Sequence, residues 1–196
     1  MGLRFVLALA SAAALIAGCA MPFVNTWLSP DWKGPPLRNV LVVGDAPSAV
    51  GRRAYEDAMS ARLAKIGVRA EPSYRLIPGE KIDRETIARA VATGGQDGLI
   101  AARLVGVDQR ERYVSTPVSG GYVGWRTWSG FYSTTTVRID QVARIETQAW
   151  SLAGEGTMVW AGSSEKVNPR DVERLANSLA DATVGELQKV GILPGD

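Results

Sequence analysis

The chain has 196 residues, a formal net charge of +2, 46% hydrophobic and 21% charged residues, one cysteine and no histidine. The absence of histidine excludes Ser-His-Asp and Cys-His catalysis and removes the usual ligands of zinc and haem sites. A single cysteine excludes an internal disulfide. Basic and acidic residues alternate without a basic stripe, which argues against nucleic acid as a partner. We therefore expect no cofactor, no metal and no nucleic acid.

Residues 1–18 have the layout of a secretory signal peptide. Arg4 gives a positive start, and the apolar run that follows ends in small residues. This run is shorter than the ~20 apolar residues that a membrane-spanning helix needs. The stretch Leu15-Ile16-Ala17-Gly18-Cys19 resembles the lipobox of bacterial lipoprotein precursors. In that family the cysteine sulfur takes a diacylglycerol and the chain is cut before it, so the resemblance implies lipid attachment at Cys19.

The residue after Cys19 indicates which membrane holds the protein. Lipoproteins of proteobacterial type are retained in the inner membrane chiefly by an aspartate at this position, and this chain has Ala20. The resemblance therefore implies an outer-membrane anchor with the domain in the periplasm, and favours it over the inner membrane. An ordinary signal peptide with an incidental cysteine is the less favoured alternative.

Residues 19–36 are predicted to be a lipidated tether. The segment shows no hydrophobic periodicity, and its prolines favour an extended chain. These prolines are Pro22, Pro30, Pro35 and Pro36. Trp27 and Trp32 are unusual in a tether, and docking on the domain is favoured over free exposure.

The domain, residues 37–196, begins with alternating strands and helices. The predicted elements are a strand over Asn39–Val43, a helix over Ser48–Ile66, a short strand over Val68–Ala70, a helix that Asp83 caps and that Gly94 and Gly95 end, and a strand over Gly98–Val107. Helical spacing of Tyr55, Met59 and Leu63 supports the first helix. Strands that are separated by helices favour parallel pairing with right-handed crossovers.

The second half of the domain is predicted to be a hairpin followed by a helix. Polar and apolar residues alternate from Arg138 to Gln148, with Ile139 on the apolar side, which predicts a strand with one wet face. Gly154 and Gly156 turn the chain into a partner strand over Met158–Val167. Asn168 is the predicted N-cap of the last helix. The fold class is therefore α/β (α+β), a mixed sheet of about five strands with three helices in the order β-α-β-α-β-β-β-α.

An aromatic and glycine-rich hairpin insert is predicted over about residues 113–134. Its candidate binding surface consists of Tyr122, Trp125, Arg126, Trp128, Phe131 and Tyr132. The insert is either a flap that packs on its own sheet or an exposed patch for a protein, a lipid headgroup or a glycan. We favour a binding surface, because interface hot spots are enriched in Trp, Tyr and Arg.

Ser163 and Lys166 have the spacing of a serine–lysine catalytic signature. That chemistry needs both side chains on one face of a helix, and a strand places positions i and i+3 on opposite faces. We therefore predict no catalytic residue. A hydrolase that uses carboxylates or a Ser–Lys pair is the weakest of the alternatives.

The stretches NTWLSPDW, VLVVGD, QDGLIAARLVGV and ETQAWSL together resemble small Gram-negative envelope lipoproteins of unassigned function. The domain is similar to the α/β domain of the curli secretion lipoprotein CsgG and to the N-terminal domain of TolB. The resemblance covers most of residues 25–190 and implies a fold; the pore-forming strands of CsgG have no obvious match.

From these features we expect a lipid-anchored, non-catalytic interaction module of the periplasm that acts in envelope assembly or maintenance. Its expected partners are the membrane, through acyl chains on Cys19, and an envelope protein. The alternative is a lipoprotein that binds glycan or peptidoglycan, with Trp125 and Trp128 as stacking platforms.

Overall fold

The computed structural model describes residues 21–77, 79, 82–118, 132–169 and 171–195. These residues form a mixed six-stranded sheet in the order β1-β6-β5-β4-β2-β3, with four helices. The elements are β1 (Phe23–Leu28), β2 (Asn39–Asp45), α1 (Ala49–Lys65), β3 (Arg69–Pro72), α2 (Ser73–Leu76), α3 (Arg84–Gly94), β4 (Gly98–Val118), β5 (Tyr132–Ser151), β6 (Thr157–Val167) and α4 (Val172–Lys189). The predicted mixed α/β class is confirmed. The predicted counts miss the strand β1 and the short helix α2.

The parallel part of the sheet is β3-β2-β4, and its central strand β2 is buried on both faces. β2 pairs in parallel with β3 and with β4. Val40 and Val42 contribute to the main core under α1 and α4, whereas Leu41 and Val43 contribute to a smaller cluster with Ala90 of α3. A continuous apolar run is what a strand covered on both faces requires.

Local capping signals set the ends of the helices. Ser48 accepts a hydrogen bond from the backbone N–H of Gly51 at the start of α1. Asp83 and Thr86 form a capping box at the start of α3, and Gly95 ends that helix with a φ of 61°. Each of these devices satisfies backbone groups that have no partner within the helix. None of the helices among the described residues is long and apolar enough to cross a bilayer.

The predicted N-cap of the last helix is wrong. α4 begins at Val172, and the Asp171 side chain accepts from the backbone N–H groups of Glu173 and Arg174. Asn168 instead adopts a φ of 50°. Asparagine tolerates this left-handed conformation better than most residues, and here it extends the end of β6.

The prediction of a tether over residues 19–36 is wrong for residues 23–28, which form the edge strand β1. β1 pairs antiparallel with β6. The Phe23 ring meets the Trp160 ring edge to face at a centroid distance of 5.0 Å. Gly162 makes room for this contact, since a Cβ there would lie 2.7 Å from Phe23 Cδ1. The edge of the domain therefore begins much closer to Cys19 than the sequence suggests.

The two tryptophans of the predicted tether differ in their environment. Trp32 packs, partly buried, against the main core, as expected for a docked side chain. Trp27 lies on β1 and remains largely exposed. Docking is thus confirmed for Trp32 and does not describe Trp27.

β4 and β5 are much longer than predicted. Both continue through the flanks of the predicted insert, so that residues 113–118 and 132–134 belong to strands. The predicted alternation of buried and exposed residues holds from Ala143 to Ala149. It is reversed farther out, where Ile139 is exposed and Asp140 is buried. The reversal marks the point where the hairpin leaves the helix-covered part of the sheet.

Candidate binding surface

β4 and β5 extend beyond the rest of the sheet as a two-stranded arm, residues 109–118 and 132–141. β6 ends at Val167 opposite Val142, whereas β4 and β5 pair onward from Gln109↔Gln141 to Val118↔Tyr132. At about 3.4 Å per residue, these pairs extend roughly 30 Å from the sheet. A two-stranded ribbon is only marginally stable by itself. The side chains on its two faces therefore determine both its stability and what it can bind.

One face of the arm and its base carries a ladder of ion pairs. The nitrogen–oxygen distances are 2.8 Å for Arg112–Asp140, 3.0 Å for Arg144–Asp108, 3.4 Å for Arg110–Glu165 and 3.6 Å for Arg144–Glu165. Opposite charges on neighbouring strands favour this register. Both side chains of the Arg144–Asp108 pair are exposed, so this pair contributes at most about 1 kcal/mol, whereas Asp140 is nearly buried in its pair with Arg112. The ladder therefore favours this pairing of the strands and makes this face polar.

The opposite face of the arm and its base carries an apolar stripe, defined as Val107 at the base and Tyr113, Val137 and Ile139 on the arm, with Glu111 opposite Ile139 among them. Residues directly opposite in an antiparallel pair share a face, and the register places Val107 against Ala143 and Tyr113 against Val137. The four side chains of the stripe are 50–68% exposed. Large apolar side chains that line up on one exposed face are typical of interaction sites.

Asn168 restrains the base of the arm through hydrogen bonds to β5. Its backbone N–H donates to the carbonyl of Gln141 at 2.6 Å, and its side-chain oxygen accepts from the backbone N–H of Gln141 at 2.9 Å. Its Nδ2 donates to Asp140 Oδ1 at 2.8 Å. These bonds continue the β5–β6 ladder by one residue and fix the direction in which the arm leaves the sheet.

A second concentration of polar groups lies at the carboxyl end of β2, where open α/β sheets commonly bind ligands. The buried Glu56 carboxylate accepts from Arg52 Nε at 3.0 Å, Ser73 Oγ at 2.6 Å and the backbone N–H groups of Gly44 and Tyr74 at 2.9 Å. Arg52 also donates to Ser73 Oγ and to the carbonyl of Gly79. This network of charged and polar groups joins β2, α1 and α2.

Tyr55 lies beside this network and is equally buried. Burial, with a smaller contribution from the Glu56 carboxylate, raises the pKa of Tyr55 far above its usual range. The phenol therefore stays neutral, and its hydroxyl has no hydrogen-bond partner among the described residues. A neutral phenol inside the main core is a packing group.

The predicted site residues fall mostly outside the described part of the chain. Cys19, Tyr122, Trp125, Arg126, Trp128 and Phe131 are outside it. Tyr132 is the first residue of β5, opposite Val118. The binding surface in the insert therefore stays a prediction. The described arm leads directly to that segment.

The sequence alone does not identify the apolar stripe. It predicts Ile139 on the buried side of its strand and Tyr113 at the border of the insert. The one signal is the period-two spacing of Val137 and Ile139, because Gln109 and Glu111 interrupt the corresponding face between Val107 and Tyr113. That pattern identifies a shared face, but it does not tell whether anything covers the face.

Ser163 and Lys166 both lie on β6, three residues apart. Ser163 pairs with Glu146 and Lys166 pairs with Ala143, so the two side chains leave opposite faces of the sheet. In the part of the chain that the structure describes, no three carboxylate or thiol groups gather in a way that could hold a metal ion.

Comparisons with known proteins give distant structural similarities. No family model matches the sequence, and neither does any curated protein. The PelC dodecamer from Paraburkholderia phytofirmans is 14% identical over 88% of this chain and 99% of that chain, with a TM-score of 0.43. A variant PelC dodecamer from the same organism is 13% identical over 85% and 98%, with a TM-score of 0.44. A PDZ domain protein from Parabacteroides distasonis is 8% identical over 85% of this chain and 35% of that chain, with a TM-score of 0.42.

Proposed function

We propose that this protein is a lipid-anchored, non-catalytic interaction module of the periplasm, held at the outer membrane by acyl chains on Cys19. Its task is to bind an envelope protein in envelope assembly or maintenance. The apolar stripe carries the proposal, because it presents exposed apolar side chains on an element whose described side chains belong to neither core cluster. The lipobox-like stretch before Cys19 supports the anchor.

The two faces of the arm suit reversible docking. Full burial of one aliphatic side chain contributes about 1.5–3 kcal/mol, so side chains that are already half buried contribute less each. Val137, Ile139 and Tyr113 together could supply a few kcal/mol, which is enough for a hot spot at the centre of a modest interface. The ion-pair ladder on the other face keeps the arm soluble when no partner is bound.

We expect the double substitution Val137→Thr and Ile139→Thr to abolish partner binding and leave the domain folded. Threonine keeps the β-branched shape that a strand favours and replaces the apolar contact with a hydroxyl. Because both residues are exposed, the free energy of unfolding should change by less than about 1 kcal/mol. The measurement is photo-crosslinking in intact cells from a probe at Tyr113, with and without the two substitutions.

The matched control is Val50→Thr on α1, where the valine is exposed and lies outside the arm. A crosslinked protein that persists in the double variant, or that forms equally from a probe at Val50, would contradict docking through the stripe. Co-sedimentation with purified peptidoglycan identifies the glycan alternative. Trp125→Ala and Trp128→Ala would reduce that sedimentation if the insert stacks on sugars.

The substitution Cys19→Ser is expected to abolish incorporation of a palmitate analogue and to block maturation of the precursor. Serine lacks the sulfur that would take the diacylglycerol, and the described helices offer no membrane-spanning segment. The test is metabolic labelling followed by membrane fractionation. Labelling of the serine variant, or recovery of the unsubstituted protein as a lipid-free periplasmic species, would overturn the anchor.

A further inference from the structure

The globular domain begins two residues after Cys19, the proposed site of lipid attachment. Met21 is only 1% exposed and belongs to the main core. Ala20 alone separates Met21 from Cys19 in the sequence. Two residues of extended chain span at most about 7 Å, so acyl chains on Cys19 would hold this part of the core close to the bilayer.

The strand that follows exposes apolar side chains at the edge of the sheet. Val24, Trp27 and Leu28 of β1 are 42–59% exposed. Leu28 pairs with the buried Trp160 and Trp27 pairs with Ala161, so these two side chains flank the free edge on opposite faces. Val24 lies at a register shift between Phe23 and Asn25. The apolar groups therefore surround an edge rather than forming a flat patch on one face.

We propose that β1 seats the domain on the bilayer, with Val24, Trp27 and Leu28 among the lipid headgroups. This inference rests on the proposed lipidation of Cys19. Tryptophan favours this zone because its ring is apolar and its indole N–H needs a polar partner. The free N–H and C=O groups of the edge strand also need polar partners, which limits the depth to the headgroup region.

The bilayer is a better occupant of this edge than a second copy of the chain. Each acylated molecule brings its own β1 to the membrane surface, so the contact is intramolecular in effect and has a high local concentration. A second copy would have to be recruited to an edge that already lies within a few residues of the acyl chains. Apolar side chains lie on both faces of this edge, which also suits a bilayer, because lipids can rearrange around them.

The placement of β1 among the headgroups would set the distance of the other elements from the membrane. The opposite edge of the sheet, β3, lies five strand spacings from β1, or about 24 Å. The arm continues β5 and β4, which lie two and three spacings from β1, or roughly 10–15 Å. A partner docked on the arm would therefore bind close to the membrane surface.

The test uses the full acylated lipoprotein in liposomes of phosphatidylethanolamine and phosphatidylglycerol. Val24→Cys is labelled with an environment-sensitive fluorophore, since the sulfur of an acylated Cys19 is a thioether and does not react. The matched control is Val50→Cys on α1, where the valine is 70% exposed. Headgroup-quencher lipids should remove most of the emission at position 24 and almost none at position 50.

The intact mass of each preparation measures acylation, independently of the depth of position 24 in the bilayer. Acylated protein without quenching at position 24 would overturn the seating and leave the lipid anchor in place. Protein that carries no acyl chains would overturn both the seating of β1 and the lipid anchor. Energy transfer between differently labelled molecules at position 24, without quenching by lipid, would show that a second copy covers the edge. Unchanged thermal unfolding of Val24→Cys is the folding control.

Discussion

Replacement of Glu56 by glutamine is expected to lower the free energy of unfolding by about 3–5 kcal/mol, as is typical when one partner of a buried ion pair is removed. The Glu56 carboxylate is fully buried and accepts hydrogen bonds from Arg52, Ser73 and two backbone N–H groups. Glutamine replaces one acceptor oxygen with a donor. It also leaves the Arg52 guanidinium buried without a counter-charge.

Urea titration of the purified domain measures this loss, and Glu85→Gln is the matched control. Glu85 pairs with Arg89 at the same i, i+4 spacing, but both side chains are largely exposed. An exposed pair of this kind contributes about 0.5 kcal/mol or less. A loss for Glu56→Gln no greater than that of the control would contradict the central role of the buried network.

The substitution Trp160→Ala is expected to lower the free energy of unfolding by about 3–5 kcal/mol, which is typical of removing a buried tryptophan. Trp160 is fully buried in the main core. Its ring also forms the edge-to-face contact with Phe23 that holds β1 against β6, and such pairs contribute about 0.5–1.5 kcal/mol beyond area burial. The substitution should therefore loosen β1 more than the rest of the sheet.

Hydrogen exchange of the β1 amides, together with urea titration, measures both parts of this effect. Trp27→Ala is the matched control, because Trp27 lies on the same edge and is 45% exposed. It should lower the free energy of unfolding clearly less than Trp160→Ala does. Trp160→Phe should cost less than Trp160→Ala, because it keeps a ring and removes an indole N–H that lacks a partner among the described residues. Equal losses for Trp160→Ala and Trp27→Ala would contradict this account of the edge.

The two proposed surfaces give the protein a consistent arrangement at a membrane. β1 would hold one edge of the sheet at the headgroups, and the arm would present the apolar stripe at a fixed height above them. Asn168 and the ion-pair ladder restrain the arm at its base. The proposed anchor at Cys19, together with an arm that is restrained at its base, would favour partners that are bound to the membrane or lie close against it.

Short-range signals in the sequence were sufficient for much of the fold. Asp83 and Gly95 mark the ends of α3 because a cap and a left-handed glycine act within one helical turn. The apolar run of β2 predicts a strand covered on both faces, and Ala143–Ala149 predict a strand with one covered face. These features depend on neighbouring residues only, so the sequence by itself determined the mixed α/β class.

Tertiary structure alone decided the features that depend on distant partners. β1 exists because Phe23 packs on Trp160 and Gly162 leaves room for it, and nothing within residues 23–28 announces that contact. Asn168 has the composition of an N-cap, but its bonds go to β5 across the sheet, and Asp171 caps the helix. The stripe is exposed because none of the described helices covers it. Burial and cross-strand bonding are properties of the assembled chain, since they depend on residues that lie far apart in the sequence.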